Sequence, residues 1–198
     1  HMKLNLLILA LCSSIPLFAQ KGSPKDNFTT EISKVKADFN KDGLPDYAIV
    51  QQNQKGKQAP YRLQIFFGQA DGSNKLVLSS TKAIEAQYAE GKDNSGNGFL
   101  GLSVKNNVLS IDNELTRGHF EHKFRFQNGN FELIGFTEVS SDGHGQMETT
   151  DFNLSTGIRN ELVENYETDK TISKTQKKVM IRPLPKLQDF RPFATELY

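Results

Sequence analysis

The stretch HFEHKFRFQNGNFELIGF, residues 119–136, constrains the fold more than any other part of this sequence. Phe120, His122, Phe124 and Phe126 alternate with Glu121, Lys123, Arg125 and Gln127. A period of two puts the first set on one face of a strand and the second set on the other. Asn128-Gly129 interrupts the alternation with the residue pair that most readily takes the positive φ of a tight hairpin turn, and Phe131 and Leu133 then resume it. The aromatic face reads as core. His119 and His122 are three apart, so on a strand they face opposite sides and do not share a metal.

The same grammar recurs along the chain. GFLGLSVKNNVLSIDNE reads as strand, Asn106-Asn107 turn, strand. YRLQIFFG and KLVLSS are further strands, and METTDFNLSTGIRNELVENYE is a hairpin around Ser155-Thr156-Gly157. Helix signals are few. Thr81–Gly91 is the best candidate, with Gly91 as C-cap, and NFTTEISKVKA is compatible with helix or strand. Three prolines spaced through IRPLPKLQDFRPF imply an extended segment lying along the body. The expected fold is mainly β, an antiparallel sheet or sandwich built from hairpins with one or two short helices. No period repeats often enough for a solenoid or a whole propeller.

The N-terminus is read as a targeting segment. His1-Met2 resembles a cloning scar, Lys3 is a minimal positive region, Leu6 to Phe18 is apolar, and Ala19 offers a small residue for cleavage. Residues 1–19 are therefore expected to be a secretory signal peptide, residues 20–27 a polar linker, and 28–198 one mostly-β domain. Cys12 is the only cysteine and follows Leu11, which does not fit a lipidation site. A chain cleaved after Ala19 has no disulfide and no thiolate chemistry. The expected address is periplasmic or secreted, with no membrane insertion once the leader is gone. A formal net charge of +1 gives no basic field for nucleic acid.

One loop carries metal chemistry. In DFNKDGLPD, Asp38, Asn40 and Asp42 stand at positions one, three and five, Gly43 at six and Asp46 at nine. Alternating oxygen side chains can point into one centre, a glycine turns the chain, and the Leu44 carbonyl falls at position seven. Position twelve is Ile49, not the glutamate of an EF-hand, and Tyr47–Val50 reads as strand rather than helix. The expected ion is structural Ca2+, and the expected ligands are Asp38, Asn40, Asp42, Leu44 and Asp46. A second loop, DNSGNG, places Asp93, Ser95 and Asn97 similarly but has Gly101 at position nine. It reads as a plain loop.

Catalytic patterns are weak. Ser140 to Gln146 gathers serine, aspartate and histidine in one glycine-rich loop, but triads are built from separated segments on a rigid scaffold. Scattered Asp and Glu neither support nor exclude a carboxylate pair. The absence of Trp weakens a carbohydrate-binding reading.

The metal loop is similar to the calcium loops of FG-GAP and VCBS repeats, in which the loop leads straight into a strand and an aspartate at position nine supplies the last carboxylate. It occurs once here, so the similarity does not imply a propeller. At larger scale the order of loop, KFRFQNGNFELIG hairpin and DFNLSTG strand pair resembles a group of uncharacterised exported proteins of Gram-negative bacteria, Bacteroidetes among them. The resemblance implies one compact domain and brings no activity. The expected function is an exported, calcium-stabilised, non-enzymatic binding protein of the cell envelope whose partner is another protein. The alternatives are a periplasmic immunity or inhibitor protein against a secreted toxin or lytic effector, and a carboxylate-dependent hydrolase.

Overall fold

The computed structural model describes residues 26–88 and 98–192. The expected leader, most of the linker and the loop residues Asp93, Ser95 and Asn97 lie outside them. Eleven strands form two antiparallel meanders. The first is β1 (Thr30–Ala37), β2 (Asp46–Gln52), β3 (Tyr61–Gly68) and β4 (Asn74–Ser80), paired in that order. The second is β5 (Gly98–Lys105), β6 (Val108–Leu115), β7 (Gly118–Gln127), β8 (Asn130–Ser141), β9 (Gln146–Asn153), β10 (Ile158–Asn165) and β11 (Thr171–Lys178), again in sequence order. NFTTEISKVKA resolves as strand because Thr30–Ala37 pairs along its length with β2.

The two sheets share one core. Val50, Leu63 and Ile65 of the first sheet belong to the same buried cluster as Leu109, Ile111, Phe124 and Leu133 of the second. Phe67 meets Phe126 edge-on, with centroids 5.0 Å apart, and Phe39 meets Phe131 edge-on at 5.5 Å. Edge-to-face pairs add to the hydrophobic gain of burying each ring. A hydrogen bond from Leu102 N to Ser33 Oγ, 3.0 Å, ties β5 to β1.

The turns follow the residues that make them. Asn106 and Asn107 have φ of 52° and 59°, and Asn128 and Gly129 have 51° and 73°, the left-handed pairs that a two-residue hairpin needs. A Cβ on Gly129 would meet no atom within 4 Å, so only its backbone conformation resists substitution. Gly129→Ala is expected to cost about 1 kcal/mol, read as a fall in the urea midpoint at unchanged slope.

Over Thr81–Tyr88 the expected helix does not form, its expected C-cap Gly91 lies outside the described residues, and the described residues contain no helix. Thr81–Ile84 bend, and Gln87 and Tyr88 form a turn. Ser80 Oγ accepts from Lys82 N and Ala83 N, and Tyr88 N donates to Gln58 O at 3.1 Å. The Ser80 bonds are those of a helix cap and do not oppose a helix; Gln58 O takes the Tyr88 N–H that a helix would direct to Ile84, while Ala83 and Ile84 are buried in the core. At the other end of the chain, Pro185 O accepts from Leu133 N (2.8 Å) and Leu187 N donates to Phe131 O (2.9 Å). Pro185–Leu187 thus runs beside the start of β8, where β9, paired only from Gly135 onward, does not reach. Leu184, Leu187 and Phe190 close that side of the core.

Candidate metal-binding loop

The acidic loop spans the connection from β1 to β2. Its side chains divide into two groups. Asp38, Asn40 and Asp42 stay near the surface and fold over the loop's own backbone. Asp38 Oδ1 accepts from Asp42 N and Oδ2 from Gly43 N, each at 3.0 Å. Asn40 Oδ1 accepts from Asp42 N at 3.1 Å, and its Nδ2 donates to Asp42 Oδ2 at 2.8 Å. Asp42 Oδ1 accepts from Leu44 N at 2.8 Å. Nested bonds of this kind are what Asp and Asn do in tight turns. Lys41 at φ 62° and Gly43 at φ 84° supply the left-handed steps between them.

Asp46 points the other way. It is fully buried. Its Oδ2 accepts from Phe39 N at 2.8 Å and from Asn40 N at 3.4 Å, and its Oδ1 accepts from Gly68 N at 3.0 Å. One carboxylate therefore fastens the loop's start to the end of β3. The approach is tight, since a Cβ on Gly68 would lie 2.6 Å from Pro45 O. Phe39, one residue into the loop, is driven into the core against Phe131.

The structure thus brings Asp38, Asn40 and Asp42 together and sets Asp46 behind them. Among the described residues no three or more His, Cys, Asp or Glu side chains form a group able to hold a metal. The donor chemistry nevertheless suits a hard cation, since Asp38, Asn40, Asp42 and Asp46 all offer oxygen and no residue of the loop offers sulfur. Each carboxylate oxygen has two lone pairs, so accepting one N–H leaves a further site. None of the ion pairs formed among the described residues involves Asp38, Asp42 or Asp46.

The other sequence candidates settle elsewhere. His122 is buried against Phe120, Phe136 and Phe190, with ring centroids 5.3, 5.0 and 4.8 Å away, while His119 is exposed on the opposite face. Burial pushes the His122 imidazole down to about 3. In the 140–146 loop, Asp142 Oδ1 accepts from His144 N (2.6 Å) and Gln146 N (3.0 Å), and Ser141 Oγ accepts from Gly143 N at 3.2 Å. Those backbone bonds hold the Asp142 carboxyl below its usual range. This is turn chemistry, with the aspartate spent on amides rather than on orienting an imidazole.

A cross-strand carboxylate pair was hidden in the sequence. Asp112 of β6 stands opposite Glu121 of β7. Burial, with the neighbouring Glu121 charge, raises Asp112, and Lys123 Nζ lies 2.9 Å from Glu121 Oε2. The only advance signal is the number of residues separating the two across the β6–β7 turn. Beside this pair, Lys123, Arg125, Thr137, Asp151 and Asn153 line a 340 Å³ groove over β7–β9.

No family model, curated protein or solved structure matches the chain.

Proposed function

We propose that this chain is an exported, calcium-stabilised binding protein of the cell envelope that acts through a protein partner. The observation that carries the reading is the set of three carboxylates within nine residues, Asp38, Asp42 and Asp46, with no cationic partner among the described ion pairs. Asp38 and Asp42, folded into one turn, favour a counter-charge, and side-chain donors that are all oxygen select a hard one. Asp38, Asn40, Asp42 and the Leu44 carbonyl would hold the ion, and Asp46, whose carboxylate is turned to the amides of Phe39, Asn40 and Gly68, would brace the loop from behind. The ion supplies charge neutralisation and loop closure. The chain's own residues do the rest: Asp46 anchors the loop to Gly68, and Phe39 plugs it into the core.

Calorimetric titration of the chain with calcium chloride tests this. One equivalent of calcium is expected to bind, and Asp42→Ala is expected to abolish the heat. Extracellular calcium modules bind at about 10⁻⁴–10⁻³ M, so the titration must reach several millimolar. No heat from the unaltered chain in that range would remove the metal from the account.

A further inference from the structure

The seven-stranded sheet ends in an arm that carries no second layer among the described residues. All eight residues of β11 are exposed, and every residue of β10 is half-buried. Four large apolar side chains on or beside the arm face water: Tyr166, Ile172, Val179 and Met180. β11 is the last strand of the sheet, so one edge of its backbone has no strand partner among the described residues.

The inner edge of the arm is firmly held. Glu161 Oε1 receives Arg159 Nε at 2.9 Å, and its Oε2 receives Thr175 Oγ1 at 3.0 Å and Lys177 Nζ at 3.1 Å. Gln176 Nε2 donates to Asn160 Oδ1 at 2.8 Å. These contacts fix the register of β11 and leave its outer edge as a row of donors and acceptors, with one register shift between Thr171 and Ser173. Lys174 and Lys178 share a face with Gln176, opposite to the Glu161 cluster, and neither enters a described ion pair. Lys170 precedes the strand, and β11 contains no acidic residue.

An open edge is a template for strand addition, and lysines on it oppose neutral and basic strands, while opposite charges across a strand pair are favourable. A second copy of this chain would set lysines against lysines, which is unfavourable for directly opposed like charges. An extended segment with Glu or Asp at alternate positions would pair its backbone with β11, neutralise Lys174 and Lys178, and cover Ile172. We propose that the outer edge of β11 docks an acidic extended segment of another protein by strand addition. The proposal deepens the binding-protein reading and rests on it, but it does not depend on calcium.

The test is amide hydrogen exchange of the full chain with an end-capped decapeptide alternating glutamate and valine. The matching lysine–valine peptide and phosphatidylglycerol vesicles serve as comparisons. With peptide at a tenfold excess over its dissociation constant, exchange in β11 is expected to slow by about tenfold. Added salt should weaken the effect, and the lysine–valine peptide should give none. The double variant Lys174→Glu/Lys178→Glu, which leaves the Glu161 network intact, should exchange that preference. The proposal is overturned if β11 is unprotected, if both peptides protect it equally, if vesicles protect it as well as the peptide does, or if light scattering shows a dimer that shields β11. Repeating the exchange with chelator keeps this outcome separate from that of the calcium reading, which stands or falls on the titration.

Discussion

Replacing Asp46 by alanine is expected to destabilise the fold by about 4 kcal/mol, the largest single effect in the loop. The buried carboxylate receives N–H groups from Phe39 and Gly68 at 2.8 and 3.0 Å, with a longer contact from Asn40. Hydrogen bonds to an ionised group contribute about 1.5–3 kcal/mol each, and a buried N–H left without a partner costs about 1–3 kcal/mol. Losing the anchor also releases Phe39, whose ring is part of the core. Asp42→Ala in calcium-free buffer provides the contrast. Asp42 is exposed and bonds only within its own turn, so its loss should cost under about 1 kcal/mol. Urea unfolding of both variants reads the difference. Equal midpoints would mean that Asp46 does not hold the loop to β3.

Acid should weaken the protein through His122. Burial holds its folded-state value at about 3, against an ordinary 6.5. Below pH 6.5 the unfolded chain takes up a proton that the folded chain refuses. Stability therefore falls as the pH drops from 6.5 toward 3, at up to about 1.4 kcal/mol per pH unit. Carboxylates act as well. Asp26, Asp71, Asp142 and Glu161 sit below their ordinary values, so the stability they add is lost as the pH falls through the ordinary carboxylate range and below, while Asp112, raised by burial, acts in the opposite sense from its ordinary value upward. Between about pH 5 and 6.5 the slope belongs chiefly to His122. His122→Leu should flatten it, and a slope that survives in that variant would assign it to other groups.

Much of the fold was legible because its hairpins are local. Asn106-Asn107 and Asn128-Gly129 fix register over two residues, and the alternation from Phe120 to Phe126 points the rings inward without reference to anything distant. The reading failed where distant partners decide. Thr81–Gly91 resembles a helix until the distant Gln58 claims the Tyr88 amide. β11 gave no signal, since TISKTQKK has no apolar face to bury and is a strand only because β10 pairs with it.

The loop shows the same division. Its spacing made Asp38, Asn40 and Asp42 neighbours, and the structure gathers them. The same spacing treats Asp46 as one more member, whereas Gly68, which lies 22 residues away, draws it inward. Likewise, Asp112 meets Glu121 only through the register set by the β6–β7 turn.

The most direct test of the central claim is thermal unfolding of the chain in excess calcium and in chelator, with Asp42→Ala alongside. A ligand that binds only the folded state stabilises it by about 2.7 kcal/mol at a hundredfold excess over its dissociation constant. For a chain of this length that raises the midpoint by roughly 5–10 °C. The account predicts such a rise for the unaltered chain and none for Asp42→Ala. Identical midpoints with calcium and with chelator would contradict it, leaving the loop as a turn held by its own Asp and Asn side chains.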